Sequence, residues 1–153
     1  MKLYTIGFKK RSAENFFTIL KDSNIQKLVD VRRKNHSLFS GFTKKLDLRF
    51  FLEECFDIAY EHIPDFAPPE ELLNNYKKRI GSKKYDLDAW DDYERQFHRE
   101  VLSKLIVGRF KIAVENFSSV CLLCSEVKAD YCHRRLLAEY FEQQLSNIKI
   151  IHL

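Results

Sequence analysis

The stretch CSEVKADYCHRR, residues 124–135, sets two thiols, two carboxylates, an imidazole and two guanidinium groups directly behind the apolar run VCLL. Thiols with an imidazole can hold zinc. A thiol at a strand end, or in a first helical turn where the dipole lowers its pKa, can act as a nucleophile. A carboxylate and an imidazole can exchange protons with a substrate, and arginines clamp anions.

Cys121 and Cys124 fall three residues apart in what reads as one strand, so their side chains point to opposite faces and cannot share an ion as a zinc knuckle does. No metal and no cofactor are expected. Neither Cys124 nor Cys132 has an Arg six residues on, where Asp130 and Ala138 stand, so the phosphate loop of cysteine phosphatases is absent. Cys124 and Cys132 remain nucleophile candidates in a thiol-dependent reaction. Glu126 and His133 are the proton-transfer candidates; in the plainer reading Glu126 pairs with Arg134 or Arg135 and His133 packs at a helix start. Cys55 and Cys121 read as core residues, because free Cys is among the most often buried types.

A second group lies in LVDVRR, residues 28–33. Asp30 shares a strand face with Leu28 and Arg32, and a covered carboxylate needs a partner, so it serves either an ion pair with an Arg or catalysis.

Elements of alternating type must position these groups. KLYTIGF reads as a strand from about residue 2 to 7, and Ser12 caps a helix that puts Phe16, Phe17, Ile19 and Leu20 on one face. QKLVDVRR is a strand apolar on both faces, KNHSLFSGFTKK is a loop, and LDLRFFLEECF has helical spacing. A short strand in IAYEHIPDF precedes a helix in PPEELLNNYKKRI, which carries acids in its first turn and bases in its last. LDAWDDYERQFHREVLSKLI reads as the longest helix, with Gly108 bending or ending it. VCLLCSE is a buried strand, DYCHRRLLAEYFEQQL a helix and NIKIIHL a closing strand.

Strands alternating with helices predict one α/β domain over residues 1–153, with a mostly parallel sheet of about five strands and helices on both faces. In such a sheet ligands bind outside the carboxyl ends of the strands. Lys9, Arg32, Arg33, Cys124 and Glu126 follow those ends, and Cys132, His133 and Arg134 open the next helix. One edge therefore gathers most of the candidate chemistry.

Composition narrows the classes. With 45% apolar residues, 14% aromatics and only 4 Gly and 3 Pro, the 153-residue chain is neither disordered nor fibrous. The formal charge of +4 suits an anionic partner without demanding one. No GxGxxG or GxxxxGK[ST] motif, repeat or low-complexity tract occurs. The N-terminal apolar stretch is too short for a signal core, and nothing approaches the roughly 18 apolar residues of a membrane span, so a cytoplasmic protein with reduced thiols is expected.

YTIGF, LVDVRR with Ser37 following, and CLLCSE followed by CHRRLLAEYF together resemble the domain of unknown function 488 family over nearly the whole chain. The resemblance implies a single intracellular α/β domain of unestablished activity, and it maps shared polar positions onto Asp30, Arg32, Ser37, Cys124, Glu126, Cys132, His133 and Arg134. Phe8 and Lys9 stand where members often carry His and Ser.

The expectation is a pocket for an anionic, phosphate-bearing ligand, a nucleotide or nucleic-acid end, with hydrolase or transferase chemistry if the site is catalytic. Arg32 and Arg134 would clamp the anion, with Asp30, Ser37 and Lys9 beside them. Two rivals are a non-catalytic nucleic-acid module, with Phe39, Phe42 and Tyr85 as stacking groups, and a protein-interaction module using the loop 34–45. Oligomeric state has no signature in the chain.

Overall fold

The fold was determined as a computed structural model, which describes residues 1–35, 41–83 and 85–153. Strands β1 (Lys2–Gly7), β2 (Lys27–Asp30), β3 (Ala59–His62), β4 (Ser119–Cys124) and β5 (Lys149–His152) form one sheet in the order β3-β2-β4-β1-β5. Every pairing is parallel. The α/β single domain expected from the alternating pattern is therefore present. Among the described residues no helix is long and apolar enough to cross a membrane.

Helices α1 (Ala13–Asp22) and α2 (Lys45–Phe50, continued by a wide π turn over Phe51–Cys55) cover one face. The Ser12 side chain accepts a hydrogen bond from the Asn15 N–H, which caps α1 as its position suggests. Phe16, Phe17 and Leu20 then pack on Tyr4, Ile6, Leu28, Cys121 and Leu123. Helices α3 (Glu70–Ile80), α4 (Leu87–Glu100), α5 (Lys104–Val114) and α6 (His133–Gln144) serve the other face. There Leu3, Val29, Val31, Val120, Leu122 and Cys124 meet Phe97, Phe110 and Phe141, the last two rings stacked with centroids 3.9 Å apart.

Two local readings need correction. The long pattern from Leu87 is two helices, because Ser103 takes extended backbone and starts α5 anew, and Gly108 lies inside α5 rather than at an end. The turn lets Phe97 of α4 and Phe110 of α5 both reach the same core. Cys55 is exposed, not core. The π turn carries an extra residue, which keeps Leu52 inward and rotates Cys55 out.

Strand order creates the crevice. After β1 and β2 the chain leaves toward α1 and α2 on one face, whereas after β4, which lies between them, it leaves toward α6 on the other. Connections that part in opposite directions open a gap at the carboxyl ends of β1, β4 and β2. That gap is closed on its β1 side by a tight backbone approach. A Cβ on Gly7 would fall 1.6 Å from the Glu126 carbonyl oxygen and 2.6 Å from its carbon. No side chain fits there. Gly7→Ala is therefore expected to force the 125–127 turn off the sheet, with a loss of about 1–3 kcal/mol or more, as in overpacked cores. Denaturant midpoints measure the loss, and an unchanged midpoint would contradict the close approach.

Candidate functional site

The gap holds a pocket of about 320 Å³, lined from the strand ends by Lys9, Arg32, Arg33 and Lys34, and by Cys124, Ser125 and Glu126. Cys132 and His133 reach it from the start of α6, Lys77 and Tyr76 from α3, and Trp90 and Tyr93 from α4, with Tyr131 between β4 and α6. The floor is soft and polar, one wall is aromatic, and the rim is cationic.

At the floor, the Cys124 thiol lies 3.8 Å from His133 Nδ1 and 3.9 Å from Nε2. His133 Nε2 is 3.0 Å from the Val31 carbonyl. A carbonyl only accepts, so Nε2 carries the hydrogen of that bond, while Nδ1 lies on the side of the thiols. The Cys132 thiol hydrogen-bonds to Cys124 and holds its pKa below the usual thiol value against the cost of burial, with the Arg134 charge and the N–H groups of Ser125 and Glu126 adding to the effect. Cys132 itself is pushed up, by burial and by that same bond. Their shared hydrogen bond thus pushes the two thiols in opposite directions, Cys124 down and Cys132 up.

Beside this floor lies a buried ion pair. Asp30, fully buried, accepts from Arg32 Nε at 2.8 Å, from Nη2 at 2.6 Å, from the Arg32 backbone N–H at 3.1 Å and from the Tyr60 hydroxyl at 2.8 Å. Arg32 Nη2 also donates to the Thr43 carbonyl, and the guanidinium carbon lies 5.1 Å from the centroid of the Phe8 ring. The His62 ring holds the Arg32 carbonyl at 2.7 Å. Asp30 is fully engaged by this network, which leaves it a structural partner rather than a free base. Among the described residues Arg32 Nη1 is buried without a partner.

The remaining expected residues separate. Arg134 does not line the pocket: its guanidinium donates to the Glu126 carbonyl at 2.7 Å and to that of Val127 at 3.2 Å. The expected clamp of Arg32 with Arg134 is therefore not assembled, and Arg134 instead pins the turn after β4. The Glu126 carboxylate faces Lys9 at 2.6 Å, both half exposed, and no hydrogen bond joins it to His133. Ser37, His36 and Phe39 lie outside the described residues, and so do residues 36–40 of the loop 34–45 put forward as a contact surface. Phe42 packs on Phe16 and Phe17, and Tyr85, half exposed, lays one face on Tyr131.

Sequence reasoning missed Tyr60, whose role follows only from the pairing of β2 with β3 that sets it opposite Leu28. It also missed Tyr76, Trp90, Tyr93 and Tyr131, whose spacing reads as core, while Lys77, one of the lysines put forward for a nucleic-acid surface, lies at this pocket. Arg33 was placed at the strand end, but its guanidinium donates to the Pro68 carbonyl and ties β2 to the start of α3.

A family model described as Domain of unknown function DUF488 matches residues 12–141. The chain belongs to the domain of unknown function 488 family. No curated protein and no solved structure matches it. The matched span of this DUF488 chain runs from α1 to α6 and includes every floor residue of the pocket, while Gly7 and Lys9 lie just ahead of it.

Removing one side of the buried pair tests its weight. Asp30→Asn leaves the Arg32 guanidinium buried beside a neutral amide and is expected to cost about 3–5 kcal/mol. Asp30→Asn combined with Arg32→Met should recover a large part of that loss, as read by urea denaturation. Equal losses in both proteins would show that the charges are not coupled.

Proposed function

We propose that this protein binds a small phosphate-bearing molecule with a flat ring, of which a nucleoside monophosphate is the simplest example, and acts on it by hydrolysis or group transfer at the pocket floor. The observation that carries this reading is Arg32, a residue of the pocket wall whose Nη1 donor is buried without a partner among the described residues, together with a rim that adds Lys9, Arg33, Lys34 and Lys77. A buried guanidinium donor without an acceptor is costly unless a ligand or water supplies one. Lys77 has no carboxylate partner among the described residues, and the partners of Lys9 and Lys34 are exposed carboxylates, a weak form of pairing that an incoming phosphate can displace.

Size and shape support the same ligand class. A volume of about 320 Å³ falls at the lower end of small-molecule sites and is too small for a strand of nucleic acid. Trp90, Tyr76 and Tyr131 offer faces against which a ring can lie. The phosphate would meet Arg32 and Lys9, which brings it over the Cys124, Cys132 and His133 floor. His133 Nδ1, beside the Cys124 thiol, is the group nearest to exchange a proton there.

The chain has a single Trp, and it lies in the wall of the pocket, so its fluorescence reports binding directly. Titration with AMP, UMP and inorganic phosphate is expected to give saturable quenching by the nucleotides at lower concentration than any response to phosphate. Lys9→Ala should weaken AMP binding by about two- to fivefold, the scale of one exposed charge contact. Glu126→Gln should strengthen it by a similar factor, because it frees Lys9 from its competing carboxylate. Absence of saturable binding by every nucleotide, or identical affinities in both variants, would overturn the reading.

A further inference from the structure

We propose that Cys124, Cys132 and His133 form a binding site for a soft divalent cation of the zinc type, at the floor of the pocket, with one coordination position left open toward the cavity. The site goes beyond ligand binding at the rim, since ion uptake by the three side chains does not depend on which anion the pocket accepts.

Chemistry and distance point the same way. Two thiolates and an imidazole are the donors that select Zn²⁺ and its neighbours over hard cations. One ligand atom from each residue lies within 4.8 Å of the other two, and all three residues are buried. Four-coordinate zinc with ordinary Zn–S and Zn–N bonds holds its donors about 3.6–3.8 Å apart. The thiol of Cys124 is already 3.8 Å from Nδ1 of His133. Small rotations of side chains that otherwise stay in place would close the triad.

The surroundings have the features of a metal centre's support. A ligating His almost always donates its other ring N–H to a carbonyl or carboxylate, which fixes the tautomer. Here the Val31 carbonyl fills that role at 3.0 Å, and the Val31 N–H is itself tied to the Leu123 carbonyl of β4 at 3.1 Å. The ring is thereby held against the sheet, with Nδ1 as its free donor atom. Cys132 stands at the N-cap of α6 and Cys124 at the end of β4, so the ligands come from two rigid elements. Two thiolates would neutralise the charge of one divalent ion, which lets it sit in a buried floor.

The separation of Cys121 from Cys124 across the sheet, correct as read from strand periodicity, removes only the knuckle arrangement. It says nothing against Cys132 and His133, which return to Cys124 through the turn that Arg134 pins. All three ligands line the same pocket as Arg32 and Lys9, so an open position would face the cavity. An ion there would bind water or an anionic oxygen of a ligand.

The test uses the full chain, reduced and stripped with a chelator, then titrated with Co²⁺ as the spectroscopic stand-in for Zn²⁺. One equivalent should bring up thiolate-to-cobalt charge-transfer absorption in the near ultraviolet together with the visible bands of four-coordinate cobalt, and one equivalent of Zn²⁺ should bleach both. Cys124→Ser, Cys132→Ser and His133→Ala should each lower affinity by at least about tenfold, whereas Cys121→Ser should leave the spectrum unchanged. Alkylation mapped by mass spectrometry covers the case of a variant that fails to fold: in the unaltered protein, stoichiometric Zn²⁺ should protect Cys124 and Cys132 and leave exposed Cys55 reactive. Failure of the reduced protein to develop the cobalt spectrum, protection of other cysteines, or a Cys124–Cys132 disulfide as the only product while the reduced form takes up no ion would each overturn the proposal. AMP binding to the stripped protein is a separate readout, so the two readings can fail independently.

Discussion

The arrangement of the pocket depends on where one arginine is buried. Arg134 is the largest of the fully buried side chains, and its guanidinium is held by the carbonyls of Glu126 and Val127 rather than by a carboxylate. Two carbonyls satisfy donors without cancelling charge, so a net positive charge remains beneath the turn. That charge is one reason why Cys124 ionises more readily than its burial alone would allow. The same contact fixes the height of the turn over Gly7, and through it the distance between the end of β4 and the start of α6. Glu126, Cys124, Cys132 and His133 thus take their relative positions from a residue that touches no ligand.

Arg32 solves the same burial problem in the opposite way. Its guanidinium is matched by Asp30 in a bidentate pair, with Tyr60 and the Thr43 carbonyl sharing the remaining capacity. A buried pair of this kind gains little net stability over apolar packing, because desolvation offsets most of the attraction. Its value is geometric: a planar, rigid donor stays at one place in the pocket wall, with Nη1 left over. The flexible lysines then occupy the rim, where a long stem and a compact charge can follow ligands of different size. Burial of Tyr60 and the Asp30 charge beside it raise the Tyr60 hydroxyl well above its ordinary pKa, with Arg32 opposing them.

Much of this was legible in the chain, for physical reasons that differ by residue. The Ser12 cap, the parallel sheet and the placement of Cys121 and Cys124 on opposite faces follow from local periodicity, which needs no knowledge of partners. Membership of the pocket was also legible for Lys9, Arg32, Cys124, Glu126, Cys132 and His133, because carboxyl-edge positions can be counted off the strands. Direction was not. Arg134 sits one residue from His133 yet leaves the pocket for the Glu126 and Val127 carbonyls, since on a helix adjacent residues differ by about 100° in heading. Glu126 paired with Lys9 across the sheet edge rather than with its neighbours in sequence, a contact fixed by the adjacency of β1 and β4. Tyr60 and the aromatic wall depended on strand order and on the break between α4 and α5, neither of which has a local signature.

The division of labour among the charged groups explains why the floor can be soft while the rim is hard. If the buried arginines faced the cavity unpaired, their fields would hold the floor thiols and any anion together in one competing cluster. Pairing Arg32 with Asp30, and turning Arg134 onto backbone carbonyls, keeps both guanidinium groups engaged with protein acceptors and leaves the floor to groups whose reactivity is set mainly by short contacts. Cys124 then answers mainly to Cys132, and His133 mainly to Val31. The rim can exchange ligands in water, where ion pairs are weak, while the floor keeps a fixed donor geometry in a dry setting, where each hydrogen bond counts for more. A single sheet edge thereby offers two environments, an exposed cationic rim and a buried floor of thiols and imidazole.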